Sequence, residues 1–390
     1  MYDFDEEIDR YNTHSQKWDG MEDAYGVSPE DGLAMWVAEM DFRPPQQVND
    51  VVMEAARHGI HGYFAKPEEY LASITGWMER RHGWTVQPRE IASVHGIVAG
   101  VGKALRAYSE RGDGIILFTP VYHAFARVIK ANKREVVESP LELRDGRFEM
   151  NLERLEASLT GREKMVIFCS PHNPGGRIWS RDELRAVAAF CEKHDLVLVS
   201  DEIHHDLVFP GETHIPMVLA APEQIDRTVM MSATTKAFNI AGALTGNVII
   251  QDDSLRRKFD ADHSATGKSM NRIGALMATA AYQHGDEWLD ALCPYLARNA
   301  EVFREGVESI PGAKVHPMQG TYLAWADFSG TGMENAEIVR RFQEDAKIAA
   351  SHGPDFGTGG AQCMRVNIGT TRARVEEAVS RLQRAFGDLQ

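Results

Sequence analysis

One lysine stands apart in SATTKAFNIAG, residues 232–242: Lys236 has small and apolar neighbours and no acidic one. An amine in a water-poor pocket gives up part of its preference for the charged form and becomes nucleophilic toward carbonyl carbon. That is the requirement for a lysine that forms an imine. An aldehyde cofactor held in this way would need a carboxylate at its ring nitrogen and an aromatic ring against its face. It would also need donors to its phenolate oxygen and backbone amides at a helix start for its phosphate. Asp201 in SDEIHHDL suits the first and Tyr122 in TPVYHAF the second. Asn173 in PHNPGG and His204 suit the third, and HGIVAG (95–100) suits the fourth.

These residues need elements that bring them together. GIILFT (114–119), KMVIFCS (164–170), LVLVSD (196–201), TVMMSA (228–233) and GNVIIQ (246–251) are short apolar runs. Amphipathic stretches lie between several of them. In SRDELRAVAAFCEKH (180–194), Ser180 and Glu183 form a capping box that predicts a helix start. Continuous apolar strands alternating with such helices indicate an α/β fold with a mostly parallel sheet covered on both faces. In open sheets of this kind ligands sit beyond the carboxyl ends of the strands. Tyr122, Asn173, Asp201, His204 and Lys236 all follow strand ends. Later in the chain the spacing changes: a long helix over 286–310, TYLAWADF (321–328), a helix near 334–346, QCMRVNIG (362–369) and a last helix read as a smaller α+β unit. The expected division is a large α/β domain over 45–284 and a small domain from 1–44 and 285–390.

Composition excludes several classes. The 390 residues carry a net charge of −15, which disfavours nucleic acid as a partner. No apolar run approaches a membrane span, and MYDFDEEIDR does not read as a signal peptide. The four cysteines have no C-x-x-C spacing, which suits a reducing, cytoplasmic setting. DEIHHD holds metal-ligating residue types but lacks a third partner at ligand-like spacing, so no metal is expected. Taken singly the other motifs are bland. HNPGG alone is a turn, Tyr122 alone a core aromatic, Arg365 alone a paired structural charge, and Trp36 and Trp325 packing residues. Their value lies in occurring together.

PHNPGG, SDEIHHDL, TTKAFNIAG and CMRVNIG, in this order, resemble the fold-type I pyridoxal-phosphate enzymes. MWVAEMDF (35–42), TPVYHAF, DEIH and KAFNIAG resemble more narrowly the MalY/PatB cystathionine β-lyase group, the C–S lyases. YDFDEEIDRYNTHSQKWD and GTYLAWADF fit that group too, so the resemblance spans nearly the whole chain. It implies a mainly parallel seven-stranded sheet in the large domain and pyridoxal 5′-phosphate as cofactor. It implies β-elimination from cystathionine or related S-substituted cysteines, with amino-acid transamination as the alternative. By the resemblance Lys236 is the cofactor lysine, Asp201 the pyridine-nitrogen partner, Asn173 and His204 the ring-oxygen neighbours, and Tyr122 the stacking ring. Gly96, Ile97, Val98 and Thr235 match phosphate contacts, and Arg365, with Asn173 and Val37, the substrate carboxylate site. Tyr63 in HGYF matches a tyrosine that reaches the neighbouring subunit's phosphate, which implies a homodimer with shared sites. Glu39, TTRA (370–373) and the pair His352 and Asp355 depart from the group's pattern. All are expected near the entrance for the substrate side chain.

Overall fold

The computed structural model describes residues 2–144 and 146–389. Seven strands form its main sheet: β1 (Ile91–Val94), β2 (Gly114–Thr119), β3 (Glu135–Pro140), β4 (Glu163–Cys169), β5 (Val197–Asp201), β6 (Thr228–Ser232) and β7 (Gly246–Ile249). The spatial order is β1-β7-β6-β5-β4-β2-β3. Only β7 runs antiparallel to its neighbours; the remaining ladders are parallel.

The apolar runs are continuous because both faces of this sheet are covered. Along β2, Ile115 and Leu117 enter one core cluster, while Ile116 and Phe118 enter another on the opposite face. Met165 and Ile167 of β4 alternate with Val166 and Phe168 in the same way. The helix Arg181–Lys193 starts where its capping box places it: the Ser180 hydroxyl accepts from the Glu183 amide, and the Glu183 carboxylate accepts from the Ser180 amide at 2.7 Å. Its Leu184, Val187, Ala188 and Cys191 face the sheet.

A second, antiparallel sheet joins Lys314–Val315, Leu323–Asp327, Cys363–Asn367 and Ser351–His352. The long helix Asp286–Glu308 continues through Pro294 and packs with the last helix, Arg372–Ala385. The stretch expected as one helix near 334–346 is α-helical only over Asn335–Arg340 and then widens into a π turn over Arg341–Asp345.

The N-terminal stretch is tied down by buried charge. Asp41 accepts from Lys17 Nζ at 2.8 Å, Arg10 Nη1 at 2.8 Å and Trp18 Nε1 at 2.9 Å. Lys17 and the Asp41 side chain are fully buried, an arrangement that holds because both oxygens are used. It fixes the MWVAEMDF segment, whose backbone forms one wall of the site described next. Among the described residues no helix is long and apolar enough to cross a membrane.

Candidate active site

The carboxyl ends of β2, β4, β5 and β6 converge on a cavity of about 220 Å³. Gly96, Ile97, Val98, Tyr122, Asn173, Asp201, His204, Thr235 and Lys236 all line it. Nine of the residues singled out in the sequence therefore meet at one place.

Lys236 sits in a single helical turn, Thr234–Ala237, directly after β6. Its Nζ opens onto the cavity and donates to the carbonyl of Ala38 at 2.6 Å. Burial, and then the positive charge of Arg365, push its pKa down to about 8. A neutral, nucleophilic amine is thus available close to neutrality. Asp201 ends β5 and is 4% exposed. Burial pushes its carboxyl up to about 7, although the amide of Ile203 donates to it at 3.1 Å. Such a carboxylate is stabilised by any cation or N–H that enters the cavity. Burial, then Lys236 and Arg365, push His204 down to about 3, so its ring is neutral.

The helix Ile97–Tyr108 opens from Gly96, whose φ of 100° is costly for any residue with a Cβ. The first bonded amide is that of Gly100, to the Gly96 carbonyl, so the amides of Ile97, Val98 and Ala99 are free for an anion. Arg365 lies on the strand Cys363–Asn367 and is 3% exposed. Its hydrogen-bond partners are all neutral: Asn173 Oδ1 at 3.2 Å, the Trp36 carbonyl at 2.7 Å and Ser351 Oγ at 3.1 Å. The paired structural charge considered for it is therefore not what its contacts describe. A buried guanidinium held by neutral acceptors is a ready partner for a carboxylate. Aromatic rings surround it. Its Cζ lies 5.0 Å from the Phe356 ring, His123 packs on Phe356, and Tyr25 packs on both Trp36 and His352.

Pyridoxal phosphate fits this set. His204 Nδ1 and Thr245 Oγ1 are buried on residues of the cavity wall without a hydrogen-bond partner among the described residues, and Arg365 Nε is likewise unpaired. Buried polar groups left so are costly unless a ligand satisfies them. The donor set is that of an anion, a phenolate and a ring nitrogen.

Other expected residues lie elsewhere. Ala38, not Val37, lines the cavity; the Val37 carbonyl accepts from Asn367 Nδ2 at 2.5 Å. Tyr63 is 93% exposed, on the extended run after the helix Gln46–His58. Trp325 is a core residue packed on Phe356. In TTRA, Thr371 caps the last helix and the Thr370 carbonyl accepts from Asn299, so the segment is a helix start. Glu39 turns to Arg10 in an ion pair of 2.5 Å, while His352 packs beside Tyr25 near Arg365.

Sequence reasoning overlooked the residues that hold the wall in place. Asn239 accepts from the Met40 amide at 2.7 Å and donates to the carbonyls of Met40 and Phe42. Asn367 and the Tyr322 hydroxyl bind the carbonyls of Glu39 and Ala38. Asn239 stands inside KAFNIAG, but its partners are about two hundred residues away in the chain, and no local spacing reveals them.

The family Aminotransferase class I and II matches residues 31–382. The chain belongs to that family. It is 36% identical to cystathionine beta-lyase PatB of Bacillus subtilis over 98% of this chain and 99% of the relative. It is 32% identical to protein MalY of Escherichia coli, over 99% of each. Its fold superposes on the crystal structure of cystalysin from Treponema denticola, which contains pyridoxal 5′-phosphate, with a TM-score of 0.95 and 33% identity over the whole of both chains.

Proposed function

We propose that this protein is a pyridoxal-phosphate-dependent C–S lyase that cleaves cystathionine or a related S-substituted cysteine by β-elimination. The observation that carries the reading is a lysine amine poised near neutrality in a small cavity whose wall residue Asn173 accepts from a buried, neutrally held arginine. The full-length likeness to the relatives named above supports it.

Bound in the cavity, pyridoxal phosphate supplies an aldehyde for the substrate amine and a ring that delocalises the negative charge left when Cα loses its proton. The chain does the rest. The amides of Ile97 and Val98, with Thr235, would hold the phosphate. Asp201 would keep the proton on the ring nitrogen. Tyr122 would cover the ring face, and Asn173 and His204 would serve its oxygen. Arg365 grips the substrate carboxylate, which orients the Cα proton toward Lys236, the group that removes it. The Cα–H electron pair would then form the Cα–Cβ double bond as the Cβ–S pair leaves with sulfur as thiolate. The net change consumes one water and yields thiol, pyruvate and ammonia. The aromatic chamber of Tyr25, Trp36, His123 and Phe356 beside Arg365 suits a thioether side chain.

A homodimer with shared sites belongs to the same reading. Tyr63 and Ile60, 93% and 67% exposed, form an apolar ridge that a second chain would cover. Four free, buried cysteines support a cytoplasmic, reducing setting. The test is incubation of purified protein with cystathionine and with S-substituted cysteines, without any keto acid, following thiol and pyruvate. Multiple turnovers support elimination. Turnover that requires a keto-acid acceptor and returns an amino acid replaces it with the aminotransferase reading.

A further inference from the structure

The stretch from Asp201 to Asp206 has two faces. Asp201, Ile203 and His204 line the cofactor cavity. His205 and Asp206 turn away from it and, with His82, His214 and Cys293, line a second cavity of about 360 Å³. No metal was expected from DEIHHD because a third ligand was missing. The fold supplies one. His82, the last residue of the helix Glu68–His82, is brought alongside from more than a hundred positions earlier.

His82 and His205 share the carboxylate of Asp206. His82 Nε2 lies 2.8 Å from Asp206 Oδ1, and His205 Nε2 lies 3.2 Å from Oδ2. The two imidazoles stack with centroids 4.2 Å apart and planes 25° from parallel, and each presents its Nε2 to one oxygen of Asp206. Trp77 Nε1 donates to Oδ1 at 3.0 Å and fixes the carboxylate. Asp206 Oδ2 and both ring nitrogens of His205 have no hydrogen-bond partner among the described residues. The side chains of His205 and Asp206 are 0% and 1% exposed. Ligand atoms of His82, His205 and Asp206 lie within 4.8 Å of one another. A second set, Glu202, His205 and His214, is equally close, but its carboxylate is occupied by Ser200 Oγ, the Met217 amide and His214 Nε2.

We propose that His82, His205 and Asp206 form a binding site for a divalent transition-metal ion of the zinc class, with water from the second cavity completing the coordination. Two imidazoles and one carboxylate suit Zn²⁺, and a fourth position left to water is a common arrangement for it. A tetrahedral ion about 2.0–2.1 Å from each ligand needs ligand atoms roughly 3.3 Å apart; the two nitrogen–oxygen distances here are 2.8 and 3.2 Å, and the ligand atoms all lie within 4.8 Å of one another. Occupancy ties the helix Glu68–His82 to the segment that carries Asp201 and His204. The site does not depend on the reaction proposed above.

The test uses cofactor-loaded protein, stripped with a chelator and returned to chelator-free buffer. Zn²⁺ is titrated calorimetrically at neutral pH, and metal content is measured after dialysis. One ion per chain with a Kd of about 10 μM or tighter is expected, and His205→Ala or His82→Gln should weaken it at least about tenfold. Unchanged affinity in both variants overturns the site, because the ion then lies elsewhere; so does a Kd above about 100 μM in the unaltered protein. Should both variants fail to fold, Co²⁺ added to the unaltered protein decides. Intense tetrahedral visible bands in the difference spectrum support the site, and the faint spectrum of hexahydrated Co²⁺ overturns it.

Discussion

His204 and His205 are consecutive, both buried, and placed on opposite walls of the same segment. The first faces the chain's own cations. Burial together with Lys236 and Arg365 drives its pKa down. The second faces Asp206, whose carboxylate works against the effect of burial. One wall collects positive charge around a cavity that suits an anionic cofactor and a carboxylate substrate. The other gathers three histidines and the Asp206 carboxylate, with Arg81 also among its lining residues. Alternation of side chains along six residues is enough to separate two chemistries, because each face meets a different set of partners from distant segments.

The comparison can be broken from either side, and the largest effect belongs to the cofactor wall. Lys236→Ala should lower thiol release by about 10²–10⁴-fold or nearly abolish it, while far-ultraviolet circular dichroism stays unchanged, since the proton-transfer group itself is removed. Activity within tenfold of the parent in that variant would sink the assignment of this cavity. Arg365→Ala comes next. Losing a buried carboxylate clamp costs on the order of 2–5 kcal/mol of binding. A steep rise in KM is expected in steady-state assays, larger than the fall in kcat.

Changes on the other wall should act on stability instead. Glu202 accepts from Ser200, the Met217 amide and His214, all buried. Glu202→Ala leaves these groups unpaired and should cost about 3–5 kcal/mol in urea unfolding, with kcat of the folded fraction preserved. Glu202 is held below its ordinary pKa because His214 and the Met217 amide outweigh the opposing effect of burial. Its contribution is therefore present above the unfolded carboxylate pKa and is lost as pH falls through its lower folded value. A kcat loss as large as that of Arg365→Ala would erase the contrast between the walls.

The smallest effect is a slope. His204 titrates near 3 when folded, so the unfolded chain takes up a proton first as pH falls. Its stabilisation is complete above about 6.5 and declines by about 1.4 kcal/mol per pH unit as pH drops toward the folded value. His204→Gln should flatten the dependence of the unfolding midpoint on pH between neutrality and mild acid by that amount. An identical slope in variant and parent would show that the ring titrates freely and is not enclosed as described.

Much of this was legible in the chain itself. The apolar runs after which Tyr122, Asn173, Asp201 and Lys236 stand are strands of one sheet, and a parallel sheet brings its carboxyl ends to one edge. The capping box at Ser180 marked a helix start because a cap is a contact among four adjacent residues. Ala38 joins the cavity wall without having been singled out, because it lies in an irregular segment with no period to set its register. A departure from a family pattern does not say what the residues touch, and Thr371 turns out to cap a helix.

The sequence by itself determined the elements and the residues at their ends, because hydrophobic period, caps and strand-end position are local properties. Only the tertiary structure decided which partners those residues meet. Asn239 clamps Met40 and Phe42, Asp41 gathers Arg10, Lys17 and Trp18, and His82 arrives beside His205 and Asp206. Each of these joins segments from different parts of the chain. Such contacts depend on how whole elements pack, and packing is set by the summed burial of the core, which no short stretch of sequence encodes.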